Sequence, residues 1–268
     1  MKLIRVIGLV TLICFTFFYT EKIIDVSIMQ DNVMIEINEN KENFYIKPID
    51  AIIDGDTIVP GKVGKEIDVD KSYLEMKKVG YYEESLLKYR EIYPEKSIYN
   101  NYNKYIISGN KYQKKIALVY IINSNIKLNR LKNYRNIKFN LFIDATLLHD
   151  NMEIINYFKN SEIYNYGNNG KYTMDNLIIS NNIINNKANN NAVYCLFIEK
   201  DIESLNNCSN NKMLSIMPSI NGDYNMIKNE IMNGSIILIN NLDEVNNIVR
   251  YVSGKGYIIS GLSEIIKE

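Results

Sequence analysis

Residues able to perform chemistry are scarce in this sequence, and histidine is the scarcest. His149 is the one histidine among 268 residues. A two-histidine zinc site, an iron site with two histidines and a carboxylate, and the HExxH protease motif all need at least two histidines. These sites are therefore excluded. His149 could act with Asp150 as a general base, but a helical pattern follows at 151–159. We favour a surface histidine, with Asp150 as the helix N-cap.

Acidic residues offer two further kinds of chemistry. Glu162, Glu199 and Asp201 could supply the two carboxylates of a glycosidase, although charged residues near strand ends are common by chance. Asp54 and Asp56 flank a glycine, but the spacing of an EF-hand calcium loop is missing, so we interpret this segment as a turn.

The cysteines do not indicate a metal site. Cys14, Cys195 and Cys208 include no CxxC pair and no metal-ligand spacing. Cys195 and Cys208 could form a disulfide outside the cell, or they could remain two buried thiols. Both alternatives stay open on the sequence.

Charge and motifs exclude two classes of partner. Lysine and arginine total 31, as do aspartate and glutamate, so the formal net charge is zero. A nucleic-acid-binding protein normally has a basic surplus. Neither GxGxxG nor GxxxxGK[ST] occurs, so nucleotide binding has no support either. With 46% hydrophobic residues, we expect a folded protein that binds neither nucleic acid nor nucleotide.

The N-terminus has the pattern of a membrane-targeting segment. Lys2 and Arg5 precede an apolar run over residues 6–19, which is typical of an export signal. No small-x-small cleavage site follows, so we favour an uncleaved anchor over a removed signal for residues 1–22. The basic residues place the rest of the chain outside the cytoplasm. We therefore expect a single-pass membrane protein with an extracellular C-terminal part, or a secreted protein if the segment is cleaved.

Residues 23–110 have mixed patterns. Alternating apolar residues predict strands over 26–28, 33–37 and 44–46, and helical spacing occurs over 66–78 and 80–90. The sequence predicts a small α+β extracellular region near the membrane.

Residues 111–268 alternate between strand and helix patterns. The seven strand candidates are Ile116–Ile122, Ile137–Ile143, Ile163–Tyr166, Ala192–Ile198, Met213–Ile216, Ser235–Ile239 and Tyr257–Ile259. Such alternation predicts parallel strands with crossover helices, hence an α/β barrel or a doubly wound sheet. Composition does not choose between these two architectures.

Several of these segments resemble the polysaccharide deacetylases, the NodB-homology family. Lys114–Tyr120 is similar to their first strand, Asn233–Leu238 to their Gly-Ser-Ile-Ile-Leu strand, and Gly254–Tyr257 with Leu262–Ile266 to their last strand and terminal helix. The resemblance implies a distorted (β/α)7 barrel over residues 111–268. It also implies removal of acetyl groups from chitin-like glycans or peptidoglycan, with a metal, usually zinc, held by Asp-His-His.

The catalytic and metal-binding residues of that family are absent. The resemblance places its two aspartates at Ile121 and Ile122, its two metal-binding histidines at Tyr166 and Gly170, and its late catalytic histidine at Asn240. Without metal ligands there is no Lewis acid to polarise the acetyl carbonyl, and without histidine no acid for the leaving amine. We therefore expect no metal cofactor and no catalysis.

Three hypotheses follow. The favoured one is a degenerate deacetylase-like envelope protein that binds cell-wall glycan or a protein partner. Its binding residues would be Tyr120, Tyr166, Tyr172 and Tyr194, since barrel sites gather at the carboxyl ends of strands. The alternatives are an active metal-dependent N-deacetylase with unconventional site residues, and a structural envelope protein without a ligand.

Overall fold

The computed structural model describes the backbone of residues 2–268 and the side chains of residues 7, 8, 10–20, 22, 23, 25–124 and 126–268. The described chain divides into two compact units. One contains the residues up to Pro48 together with Val63–Tyr93, and the other contains Ile49–Lys62 together with Pro94–Glu268.

Helices and strands cover both units. The α-helices are α1 (Lys2–Met29), α2 (Asn32–Asn40), α3 (Val69–Lys77), α4 (Asn125–Leu131), α5 (Ala145–Asp150), α6 (Met174–Lys187), α7 (Ile202–Asn210), α8 (Tyr224–Glu230), α9 (Val245–Gly254) and α10 (Leu262–Ile265). The strands are β1 (Ile52–Asp54), β2 (Thr57–Val59), β3 (Gly64–Ile67), β4 (Tyr89–Ile92), β5 (Tyr105–Ile106), β6 (Lys115–Ile122), β7 (Asn140–Ile143), β8 (Glu162–Asn165), β9 (Tyr194–Leu196), β10 (Leu214–Ile216), β11 (Ile220–Gly222), β12 (Ile236–Ile239) and β13 (Ile258–Ile259).

The first unit is more helical than its sequence suggests. The segment 33–37, predicted as a strand, lies in α2, where the Asp31 carboxylate accepts a hydrogen bond from the Val33 N–H at 3.0 Å. This cap favours a helix. Val33, Met34 and Ile37 then share one face and pack in the core of the unit. The predicted strand at 26–28 likewise lies in α1.

Helix α1 contains the apolar N-terminal run. The membrane anchor predicted over residues 1–22 is not supported by the structure. Among the described residues, no helix combines the length and the apolar character that crossing a membrane requires.

The second unit is an α/β fold with parallel sheets. One sheet has the order β11-β12-β6-β7-β8, with β13 also paired to β6, and all its pairings are parallel. The other has the order β1-β2-β5-β10-β9, in which the β1–β2 hairpin is the one antiparallel pairing. These ladders confirm the predicted α/β class and the parallel strands.

The second unit begins earlier in the chain than the predicted boundary at residue 110. Strands β2 and β5 pair with each other, and β5 pairs with β10 at Tyr105 and Ser215. These ladders tie residues 49–62 and 94–110 to the sheet that contains β9 and β10. The other unit is therefore built from two separate stretches of chain.

Strand β6 separates two apolar layers. Its even-numbered residues, such as Leu118 and Ile122, belong to a cluster with helical residues such as Leu128 and Val245. Its odd-numbered residues join the apolar cluster enclosed between the sheets. This alternation follows from the period of two in a strand, and it decides which residues at the end of β6 can reach an interior site.

The two parallel sheets meet at a seam between β8 and β9 that side chains close. Asn190 pairs with the backbone of Ile163, accepting its N–H at 2.8 Å and donating to its carbonyl at 2.9 Å. The Tyr172 hydroxyl accepts the Leu196 N–H at 2.7 Å and donates toward the Asn165 carbonyl at 3.2 Å. The Asn190 amide and the Tyr172 hydroxyl thus supply hydrogen-bond partners to backbone groups at strand edges that no neighbouring strand covers.

Candidate functional site

The carboxyl ends of β7 and β8 are joined by a tight loop network. The loop after β8 contains three residues with positive φ, which are Gly167, Asn169 and Gly170. Its Asn169 N–H donates to the Asp144 carboxylate at 2.7 Å. Asp144 also caps α5, accepting the Thr146 N–H at 3.0 Å. One carboxylate therefore holds the loop of β8 against the helix that follows β7.

The structure brings together the two positions at which the resemblance places metal-binding histidines. A Cβ atom added to Gly170 would lie 3.1 Å from the Tyr166 hydroxyl. The phenol therefore occupies the space beside Gly170. Burial, with a smaller contribution from Asp144, raises the pKa of Tyr166. The ring stays protonated at neutral pH, and a neutral phenol is a poor metal ligand.

The two isoleucines at the end of β6 face opposite ways. Ile121 lies in the interior cluster that includes Tyr166, whereas Ile122 lies in the outer layer and is fully buried. Ile122 is therefore turned away from the site. The next residue on the interior side is Asn123, whose amide donates to the Asn169 Oδ1 at 3.3 Å. Sequence reasoning missed Asn123, although the period of the strand points to it.

Asn240, aligned with the late catalytic histidine, follows β12. Its amide donates to the Asn221 Oδ1 at 2.8 Å. This contact joins the ends of β12 and β11. Strand β11 was not among the predicted strands, because it carries one apolar residue, Ile220, in three.

The four tyrosines predicted to bind glycan are all buried, with exposed fractions between 1% and 7%. Tyr120 packs in the outer layer against Phe139, with ring centroids 6.3 Å apart. Tyr194 packs edge-on against Tyr164 at 5.0 Å, and Tyr172 bridges the seam. Rings covered in this way offer little surface on which a sugar could stack. Tyr166 alone among the four borders a described pocket.

That pocket, which we call the β8–β9 pocket, has a volume of about 230 Å³. It lies where the chain leaves these two strands. Its lining residues are Tyr166, Asn169, Gly170, Lys171, Leu196, Phe197, Ile198, Glu199, Lys200 and Asp201. The lining is mainly polar and charged, and Ile198 is its exposed apolar side chain.

Ion pairs at the pocket engage both of its lysines. The Lys171 ammonium lies 2.8 Å from the Asp201 carboxylate, and Lys200 lies 2.8 Å from Asp56. The Lys171 hydrogen bond is the largest effect that lowers the pKa of Asp201. Asp201 also accepts the Ser204 N–H as the N-cap of α7. Asp201 therefore stays ionised and has a structural role.

The three carboxylates considered for a glycosidase site do not converge. Glu199 and Asp201 line the β8–β9 pocket, whereas Glu162 begins β8, at the opposite end of the strand from Tyr166. Glu162 accepts hydrogen bonds from the Tyr164 hydroxyl at 2.6 Å and from Ser263. The structure therefore does not bring Glu162 together with the other two.

His149 lies on α5 and has a surface location. Its Nδ1 is 3.5 Å from the Asp150 carboxylate, and both side chains are exposed. The expected N-cap at Asp150 is wrong, because Asp150 is the last residue of α5 and the short 3-10 helix that follows, Met152–Tyr157, has Asn151 at its N-cap position.

The donor groups at the site do not fit the metal that the resemblance implies. Isoleucine and glycine have no donor atom in their side chains, and the phenol of Tyr166 is neutral. Among the side chains that the structure describes, no three or more of His, Cys, Asp or Glu form a group that could hold a metal ion.

Cys195 and Cys208 form a disulfide that joins β9 to α7. Both residues are fully buried in a cluster with Tyr172 and Phe197. Of the two alternatives that the sequence left open, the structure has the disulfide. It fixes the strand that leads into the pocket residues 196–201.

Comparison with known proteins gives matches at the level of structure. No protein-family model and no curated protein matches the chain. A solved structure of a CE4 family pseudoenzyme from Bacillus anthracis matches with a TM-score of 0.60 and 20% identity, covering 89% of this chain and 96% of that one.

A mutant of the same pseudoenzyme, described as having restored enzymatic activity, matches with a TM-score of 0.61 and 20% identity, covering 89% of this chain and 99% of that one. At this identity the likeness establishes the fold. The chain therefore has the fold of the CE4 carbohydrate esterases, as the resemblance to polysaccharide deacetylases predicted.

Proposed function

We propose that this protein is a catalytically inactive relative of the deacetylases, with a distorted barrel, that binds cell-wall glycan in the β8–β9 pocket. The observation that carries the proposal is the contact between Tyr166 and Gly170. Tyr166 and Gly170, the two positions expected to hold a metal, lie next to each other. The protonated phenol of Tyr166 fills the space beside Gly170.

The chemistry of deacetylation supports an inactive site. A metal ion polarises the acetyl carbonyl and lowers the pKa of the attacking water. Here Ile121 stands at a base position and can neither accept a proton nor bind a metal. Asn240 cannot protonate a leaving amine, because an amide is not an acid at neutral pH. The structural match to a pseudoenzyme of the CE4 family agrees with this interpretation.

The pocket supports binding without catalysis. Its exposed apolar residue is Ile198, and its rim carries Lys171 and Glu199. An exposed apolar side chain can cover part of a sugar ring while polar groups orient its substituents. Its volume is below the range of about 300–1,000 Å³ usual for drug-sized ligands, so we expect it to hold one sugar unit of a longer chain.

We also propose that the protein acts outside the cytoplasm, at the cell envelope. Disulfides persist in oxidising compartments, and Cys195–Cys208 is such a bond. The basic residues followed by an apolar run at the N-terminus are typical of export.

A pull-down with insoluble peptidoglycan tests this function. We expect the full chain to be retained, and we expect Ile198→Arg to weaken retention because it places a long charged side chain in the pocket. Ile202→Arg is the matched control, since Ile202 is exposed and does not line the pocket. Failure of the full chain to bind, or equal effects of the two variants, would contradict binding in this pocket.

A further inference from the structure

We propose that the β8–β9 pocket prefers a hexosamine whose amino group is free over its N-acetylated form, because the Glu199 carboxylate can pair with the ammonium. This inference rests on the proposed glycan-binding function and specifies the class of ligand. The expected ligand is thus a de-N-acetylated glycan unit, whose amine is protonated at mildly acidic pH.

The ion pairs at the pocket leave one carboxylate of the lining, Glu199, without a partner among the described residues. The two cations of the pocket, Lys171 and Lys200, are each paired within 2.8 Å to a carboxylate, Asp201 and Asp56 respectively. Glu199 lines the same pocket and is exposed. It makes no hydrogen bond or ion pair with any residue in the described part of the chain. The lining itself has two positive and two negative side chains, but Lys200 is neutralised by Asp56, which lies outside the lining, so no cation of the lining is left to pair with Glu199.

Lys171, the protein cation that could compete with the ligand for Glu199, is already paired with another carboxylate. Lys171 lies near enough to Glu199 to interact with it electrostatically, but its ammonium is hydrogen-bonded to Asp201. Asp201 in turn is held by Ser204, whose hydroxyl donates to it at 2.8 Å. Glu199 is therefore the carboxylate of the pocket with capacity for a cationic ligand.

Chemistry favours the free amine at this position. An ammonium gains both an ion pair and charge-assisted hydrogen bonds with a carboxylate. An acetamido group is neutral and bulkier, so it gains no ion pair and needs more of the 230 Å³ available. The exposed Ile198 side chain can cover part of the sugar ring in either case. The preference for the free amine over the acetamido group therefore comes from Glu199.

The test compares oligomers of glucosamine with oligomers of N-acetylglucosamine of equal length, by isothermal titration with the full chain at mildly acidic pH, where the glucosamine amines are protonated, and at low salt. We expect about twofold to fivefold tighter binding of the glucosamine oligomers, the ratio that corresponds to one partly exposed ion pair. Glu199→Gln should abolish the preference. The matched control Glu230→Gln, at the exposed end of α8, should keep it.

A third variant gives a change that misfolding cannot imitate. Lys171→Met removes the cation that neutralises Asp201, so the preference for the glucosamine oligomers should increase. Equal binding of both oligomers, or a preference that survives Glu199→Gln, overturns the inference and leaves glycan binding intact. Binding of neither oligomer overturns the inference and the proposed function together.

Discussion

The substitution Tyr172→Phe separates a structural role for this ring from a ligand-binding role. The Tyr172 hydroxyl connects β8 to β9, accepting the Leu196 N–H and donating toward the Asn165 carbonyl. Leu196, Asn165 and Tyr172 are all buried. Phenylalanine keeps the ring and its packing but leaves the two backbone groups without this partner.

The expected cost follows from the burial of those groups. A buried polar group without a partner destabilises the folded state by about 1–3 kcal/mol. A carbonyl tolerates the loss better than an N–H does, because it has two lone pairs. For one of each, we expect Tyr172→Phe to lower the free energy of unfolding by about 2–4 kcal/mol, a large fraction of the about 5–15 kcal/mol of a typical domain.

Urea unfolding followed by circular dichroism measures this change, with the disulfide kept oxidised in both proteins. Tyr81→Phe is the matched control, because Tyr81 is 59% exposed; its effect should stay within about 0.5 kcal/mol. Equal stability of the two variants, together with loss of glycan binding in Tyr172→Phe, would refute the structural role and favour the ligand-binding role predicted from the sequence.

Three further predictions concern the seam and the interior. Asn190→Ala should lower the free energy of unfolding by about 1–3 kcal/mol in urea, because both backbone groups of Ile163 lose a partner; a loss no larger than that of a surface substitution would contradict the pairing. Burial raises the pKa of Tyr164 and Tyr194 above the usual 10.0, so the folded state keeps these protons after the unfolded chain has released them. Stability should therefore fall above about pH 10 by about 1.4 kcal/mol per pH unit per tyrosine, and a melting temperature that stays constant from pH 10 to 12 would oppose this. Ile121→Asp should give no acetate release with any added metal and should lower the melting temperature, since it places a carboxylate in the apolar interior; turnover by this single variant would show the alignment or the mechanism to be wrong.

The strands of the second unit could be predicted because their patterns are strong. Each of the seven predicted segments contains a strand, and β-branched runs such as Ile116–Ile122 are typical of buried parallel strands. The segment 33–37 was misassigned because a short apolar run fits a strand and a helix equally well. Asp31, whose side chain caps the helix and so favours helix over strand, lies outside that run.

The seam and the pocket could not be predicted in the same way. Asn190 lies in an asparagine-rich run that the composition of the whole chain makes unremarkable, and its pairing with Ile163 depends on tertiary proximity. The same holds for Tyr172, whose hydroxyl meets Leu196 far along the chain. The opposite directions in which the Ile121 and Ile122 side chains point, by contrast, follow from the period of two in a strand and could be predicted from the sequence.

Acetate release from N-acetylglucosamine oligomers and peptidoglycan tests the central claim most directly. The full chain would be assayed with zinc, cobalt or nickel added, and again with a chelator. The contact between Tyr166 and Gly170, and the absence of a donor at Ile121, predict no release under any of these conditions. Release that the chelator abolishes would contradict the account, because it would require a metal site that these residues do not form.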